Sequence, residues 1–385
     1  MNYKENIKEV LREYHEEIWR FGKLEDCFIF LKQNNLGVKK HVIKSVMLLS
    51  MKNHANISHL LYTDLFTLKE LVNNPVYKSY KIKKKSGGVR SIDSPDENLK
   101  RAQRILNSFL QSYYLCIKPN SVHGFVPNFY KIEKRINIIE NAKPHVGKKY
   151  ILNMDLKNFF DSISSQRIYQ LFLENHFNYN KLVAAAITLL VTYQGKLPTG
   201  APTSPVISNF ICLELDQCLM EFSKTYGLTY TRYADDLTFS SDNEISDLLV
   251  VMLKEIIQLN GFVVNNKKVR IKSNSRQQTV TGLVVNKKVN VDRKMMKQVR
   301  AMIHHAKVNG LTNAAQKHFD LKDELNIGFF RKLFIEKLTG LINFIGLIRG
   351  KRDPLFLKLE SDFYELEFNK PTIKNKVIIY ESVDF

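Results

Sequence analysis

The stretch Leu228-Thr229-Tyr230-Thr231-Arg232-Tyr233-Ala234-Asp235-Asp236-Leu237-Thr238-Phe239-Ser240 decides how this chain is read. Its flanks are β-branched and aromatic, the residue types that suit strands. Ala234-Asp235-Asp236 interrupts them, so the segment predicts a β-hairpin with two adjacent acids at its tip. Asp is a common turn residue, and a plain Asp-rich turn is the competing reading. Adjacent carboxylates repel, however, and the pair costs stability unless a cation sits between them.

Upstream, Lys149 to Asp155 reads as a strand with an apolar pattern from Ile151 to Met154, leading into a helix at Leu156-Lys157-Asn158-Phe159-Phe160. Asp155 stands at the end of that strand, where a sheet opens to solvent. If strand and hairpin pair, Asp155, Asp235 and Asp236 converge on one small volume. Hard divalent cations such as Mg²⁺ take oxygen ligands of this kind. Two such ions can clamp the attacking and leaving oxygens of a phosphoryl-type displacement.

The composition agrees with a polyanionic partner. The 385 residues hold 58 Lys and Arg against 38 Asp and Glu, a net charge of +20. Nucleic acid is the first candidate for such an excess, because its phosphates are dense and fixed. Hydrophobic residues at 44% and aromatics at 11% supply a buried core, which excludes a disordered chain and suggests two or three subdomains. The N-terminus carries charges every few residues and has no apolar h-region of a signal peptide. No run approaches the length of a membrane span, so no membrane partner and a cytoplasmic location are expected. Cys27, Cys116, Cys212 and Cys218 form no CxxC pair, and buried free thiols are expected instead of a zinc site or disulfides.

Other segments place the elements. Residues 1–75 read as helical, with Ile7, Val10, Leu11 and Tyr14 on one stripe that Ile18 continues. From Tyr77 to Lys85 bulky and basic residues alternate, Ser86-Gly87-Gly88 turns, and Val89-Arg90-Ser91-Ile92 resumes: a hairpin with a basic tip. A helix is expected from Glu97 to Tyr114 and another from Pro205 to about Tyr226. A further helix starts at the N-cap Asp292 and stops before Gly310. On it Arg293, Lys297, Arg300, His304 and Lys307 share one face, with Val299, Met302, Ile303 and Ala306 opposite. That basic stripe is read either as a solvated face or as a helix laid along a phosphate backbone. Hairpins and helices without a βαβ rhythm point to the α+β class.

At this point the residues carry a resemblance. Tyr233-Ala234-Asp235-Asp236 resembles the YxDD box of reverse transcriptases, and Asp155 in Asn153-Met154-Asp155 resembles their first catalytic aspartate. Between them, Leu197-Pro198-Thr199-Gly200-Ala201-Pro202-Thr203-Ser204-Pro205 is similar to the segment that family writes QGxxxSP, with Thr199 where Gln is usual. Gly261-Phe262-Val263-Val264-Asn265-Asn266-Lys267-Lys268 is similar to the next box. Val122-His123-Gly124-Phe125 resembles a fingers segment of bacterial reverse transcriptases. Asn141-Ala142-Lys143-Pro144-His145 and Val280-Thr281-Gly282 are similar to the NAxxH and VTG elements of the retron subgroup. The ordered set covers about residues 77–310.

The resemblance implies a right-hand polymerase with fingers, a palm whose antiparallel sheet carries the acidic site, and a helical thumb. Residues 1–75 would be a helical N-terminal extension, 76–150 fingers, 151–285 palm with part of the fingers interleaved, and 286–385 thumb and RNA-binding C-terminal region. It implies RNA-directed DNA synthesis, with two Mg²⁺ ions, or Mn²⁺, on Asp155, Asp235, Asp236 and the Leu156 carbonyl. Deoxynucleoside triphosphate would meet Lys85 and Arg90 of the hairpin, Phe160 as the guard against a ribose 2′-hydroxyl, Gly200, and Lys268 near the leaving pyrophosphate. Asn141, His145, Arg293, Lys297, Arg300 and Lys307 would contact RNA. The retron subgroup implies a cognate structured non-coding RNA, priming from an internal guanosine 2′-hydroxyl, a branched msDNA product, and antiphage defence with an accessory effector protein. No RNase H-like segment is visible, so template removal is expected from a host RNase H. The alternatives are a group II intron-like or diversity-generating reverse transcriptase, and a catalytically idle RNA-binding scaffold.

Overall fold

The computed structural model describes residues 7, 17–20, 24–33, 39–83, 87–127, 136–174, 176–320 and 327–368. The chain forms two compact units, Met1–Arg276 and Gln277–Phe385.

The first unit opens with helices α1 (Leu24–Gln33), α2 (Lys40–Leu49), α3 (His54–Leu60) and α4 (Leu65–Asn73). Asn53 and Asp64 cap α3 and α4 by accepting from the amides of Asn56 and Thr67, which satisfies donors that a helix start leaves free. Of the N-terminal stripe, Ile7 is buried, while Val10, Leu11 and Tyr14 lie outside the described residues. Strands β1 (Tyr77–Lys83) and β2 (Val89–Pro95) form the expected antiparallel hairpin, in register from Tyr77 opposite Pro95 to Lys83 opposite Val89. Helix α5 (Glu97–Ile117) follows, capped by Asp96, with Leu99, Ala102, Leu106 and Phe109 buried.

The central sheet has the order β4 (Thr229–Tyr233), β5 (Asp236–Ser241), β3 (Tyr150–Asp155), β6 (Arg270–Ser273), with short helix α6 (Ile138–Ala142) preceding β3. After β3 the chain turns through Asn158, whose φ is +51°, instead of entering the expected helix at Leu156; α7 (Ser165–Leu173) starts only at its Ser164 cap. Helix α8 (Lys181–Val191) precedes α9 (Ser204–Ile211) and α10 (Leu213–Thr225). The single helix expected from Pro205 is therefore two, broken at Cys212. Strands β4 (Thr229–Tyr233) and β5 (Asp236–Ser241) form the second hairpin, followed by α11 (Asp247–Leu259) and β6 (Arg270–Ser273). Strand β3 lies between β5 and β6, antiparallel to both. Because side chains alternate across a sheet, Leu152, Met154, Leu237 and Phe239 fall on one face and are buried in the core. Asn153, Asp155, Asp236 and Thr238 fall on the other.

The second unit holds β7 (Thr279–Val280), β8 (Leu283–Val284), α12 (Arg293–Phe319), α13 (Ile327–Arg349) and α14 (Pro354–Phe368). Asp292 caps α12 as expected, accepting from the Lys294 amide. Gly310 breaks the helical geometry with φ +78° and ψ 159°, but the chain resumes helix to Phe319. Among the described residues no helix is long and apolar enough to cross a membrane, and the four cysteines are unpaired, with Cys27 and Cys212 buried.

Candidate active site

Asp155 and Asp236 are directly opposite one another on the same face of the β3–β5 pair. Like charges in that relation destabilise a sheet. The turn between β4 and β5 adds Asp235, whose carbonyl accepts from the Leu156 amide at 3.0 Å. The strand and the hairpin thus meet as expected, and bring all three acids to one sheet end. Desolvation and then the Asp155 charge push Asp235 above the usual carboxylate range, with Lys268 and Arg90 opposing. Asp236 presents an open edge to solvent, yet water loss around its carboxyl, then Asp235 and Asp155, raise it to about 6. The like charges are the part that a cation would relieve.

One cation is already there. Lys268 Nζ lies 2.6 Å from Asp155 Oδ1. The Asn265 amide donates to the Asp155 carbonyl at 2.8 Å. The segment resembling the next box therefore grips the first acid, which sequence spacing did not reveal. Among the described residues no three carboxylate, imidazole or thiol groups are drawn together tightly enough to cage one ion. The donor set still suits divalent ions. It is all oxygen, and burial together with the neighbouring carboxylates disfavours leaving Asp235 and Asp236 charged without a cation.

A cavity of 710 Å³ opens over Asp155 and Asp235. Asp155, Leu156, Asp235 and Lys268 line it together with Arg90, Phe160 and Thr199. Phe159 is buried in the core, and Phe160 is half-buried at the wall, its ring 5.9 Å from that of Phe125. Gly200 belongs to the cavity's frame: with φ +126°, any Cβ there would come within 2.8 Å of Ile92 Cγ2 and 3.0 Å of the Asp93 carbonyl oxygen. The Asp93 amide donates to the Thr199 carbonyl at 2.7 Å, docking β2 against this loop. Lys85 lies outside the described residues.

Of the residues expected to contact RNA, Asn141 and His145 are buried. His145 pins the sheet, with Nδ1 2.7 Å from Ser240 Oγ and Nε2 2.8 Å from Thr231 Oγ1. Burial first, then the His123 and Lys148 charges, lower its pKa to about 3, so the ring is neutral. In the second unit Arg293, Lys297, Arg300 and Lys307 are exposed on α12, as the stripe predicts. Lys307, however, is engaged by Asp362 at 2.6 Å and Glu365 at 2.8 Å.

Sequence reading missed Arg232. Its guanidinium and the Asp216 carboxylate are both 0% exposed and 2.7 Å apart. A polar residue among strand apolars, next to the acidic turn, was the available signal.

Comparison with known proteins follows this geometry. Residues 82–312 match the family model described as reverse transcriptase (RNA-dependent DNA polymerase). The Retron Ec86 reverse transcriptase of Escherichia coli is 38% identical over 237 residues, which are 60% of this chain and 69% of that protein. The Retron Mx65 reverse transcriptase of Myxococcus xanthus is 34% identical over 263 residues, 63% of this chain and 59% of that protein. Among solved structures, telomerase from Candida albicans with a TWJ fragment of telomeric RNA is similar at a TM-score of 0.42 and 11% identity, over 77% of this chain and 60% of that one.

Proposed function

This chain belongs to the reverse transcriptase family, and from that premise we propose that it copies a cognate structured non-coding RNA into DNA, as a retron enzyme. The observation that supports the chemistry is the meeting of Asp155, Asp235 and Asp236 at one sheet end, with Asp155 and Asp235 lining a cavity walled by Arg90 and Phe160. Asp155, Asp235 and Asp236 would hold divalent ions, Mg²⁺ or Mn²⁺, which would supply Lewis acidity for ionisation of a primer hydroxyl and for charge on a triphosphate. Leu156 closes the floor by tying its amide to Asp235. Arg90 offers a fork of donors suited to phosphate oxygens, and Lys268 is a further cation lining the same cavity. Phe160 fills the wall where a sugar 2′-hydroxyl would stand.

The finer reading rests on the similarity to retron reverse transcriptases. The proposal extends to priming from an internal guanosine 2′-hydroxyl, a branched msDNA, an accessory effector in antiphage defence and template removal by a host RNase H. The 76–150 region would serve as fingers, 151–285 as palm, and 286–385 as thumb. On α12, Arg293, Lys297 and Arg300 would lie along the RNA backbone, which suits a helix of RNA read by shape and phosphate contacts.

Primer extension on an RNA template tests the core reading. Asp235→Asn is expected to lose about a hundredfold or more in synthesis while RNA binding is kept. Wild-type yield from that variant removes the three acids from the chemistry, and no synthesis by the wild-type protein on any RNA leaves an RNA-binding scaffold. Sequencing the nucleic acid that copurifies with the protein tests the finer reading, which a covalent RNA–DNA branch supports and unbranched, heterogeneous RNA overturns.

A further inference from the structure

The turn that carries Asp235 and Asp236 is held in a conformation that its own residues do not favour. Ala234 has φ +58°, a left-handed backbone that a residue with a Cβ adopts only when its surroundings impose it. Two contacts impose it from behind, and a third residue couples them. Arg232 Nη1 donates to the Ala234 carbonyl at 3.1 Å. Gly124 packs so closely beneath the turn that a Cβ there would stand 2.2 Å from the Ala234 amide nitrogen. Asn209 joins the two, accepting from Arg232 Nη1 at 3.0 Å and donating to the Gly124 carbonyl at 3.1 Å. Asp216 fixes the guanidinium with two 2.7 Å bonds, from Nε and Nη2, and also accepts from the Tyr230 hydroxyl at 2.8 Å.

A fully buried ion pair is costly to desolvate and weak evidence of stability gained. What this one does supply is direction: a planar fork of donors can hold a carboxylate, an amide and a main-chain carbonyl at once, whereas an ammonium cannot. We infer that Arg232, locked by Asp216 and Asn209, is a positioning residue that sets the backbone of the acidic turn and thereby the alignment of Asp235 and Asp236 toward their cations. This inference rests on the reading that those acids hold divalent ions.

The test compares two variants with the wild-type protein by direct Mn²⁺ titration, followed by electron paramagnetic resonance, and by thermal melting. Arg232→Met combined with Asp216→Leu removes both buried charges together, so neither is left unpaired. The folded double variant is expected to bind Mn²⁺ about tenfold more weakly at unchanged stoichiometry, as for other residues that orient metal ligands. A merely structural role would instead lower the number of sites per chain and leave their affinity alone. Arg232→Lys keeps the charge beside Asp216 and so the fold, but releases the Ala234 carbonyl; it is expected to show the same weakening. Wild-type affinity in either folded variant overturns the inference. Failure of the function proposed above is read separately, as absence of DNA synthesis by the wild-type protein.

Discussion

Lys268 Nζ rests 2.6 Å from Asp155 Oδ1, so a side chain of the same unit neutralises the first acid of the site. The lysine side chain is 54% exposed, and water screening keeps such a pair to about 1 kcal/mol at most. A divalent ion arriving at Asp155 has to displace that ammonium. Lys268→Met is therefore expected to tighten Mn²⁺ binding about fivefold, measured by calorimetry. Unchanged or weaker affinity would show that the lysine does not compete for this carboxylate.

Phe160 is the wall residue with the clearest consequence for substrate choice. Its ring packs beside Phe125 and Phe159 and faces the cavity. Phe160→Ala opens space at the wall without touching an acid. Discrimination between deoxy- and ribonucleoside triphosphates, read as the ratio of kcat/KM values, is expected to fall about tenfold or more. An unchanged ratio assigns the ring to packing alone.

Gly200→Ala probes the joint between hairpin and cavity. The added methyl meets Ile92 and the Asp93 carbonyl at a φ of +126°, a strain worth about 1–3 kcal/mol. Because β2 also carries Arg90, the variant is expected to unfold at lower denaturant and to show a raised KM for triphosphate. A wild-type midpoint and KM would mean that the loop moves aside freely.

His145 gives the fold a pH dependence whose sign follows from its burial. Its folded-state pKa is about 3, below the value of about 6.5 in an unfolded chain. Between those values the unfolded chain binds the extra proton, so the contribution is fully present above about pH 6.5 and is lost as pH falls toward 3. His145→Gln retains hydrogen-bonding capacity toward Ser240 and Thr231 but does not titrate. Urea unfolding at pH 7 and pH 5 is expected to show a smaller acid loss in the variant than in the wild-type protein. Equal losses would place the proton uptake elsewhere.

The residues that sequence reading located were those whose meaning is local. Asp235 and Asp236 announce themselves through a turn between two β-type runs, and Asp155 through an apolar strand ending on an acid. Asp292 marks a helix start by its own chemistry. What was illegible depends on partners distant in the chain. His145 looks like a solvent-facing or ligand-binding ring until Thr231 and Ser240 close over it. Lys268 finds Asp155 and Arg232 finds Asp216 only once the sheet and helices have assembled. Gly310 carries the local signal of a helix end, yet packing among α12, α13 and α14 carries the helix onward past the break.

Strand β3 has hydrogen-bonded neighbours on both sides, β5 and β6. Asp155 lies in the ladder with β5 and is tied through its main-chain carbonyl to the Asn265 amide, and Asp236 lies in the ladders with both β3 and β4, whereas Asp235 sits in the turn outside any ladder. The site works like a vise with one jaw bolted to the bench: the paired strands that carry Asp155 and Asp236 are the fixed reference, and fine adjustment belongs to the turn that carries Asp235. Substitutions that retune the spacing of the acids are accordingly to be sought behind Ala234, not along β3.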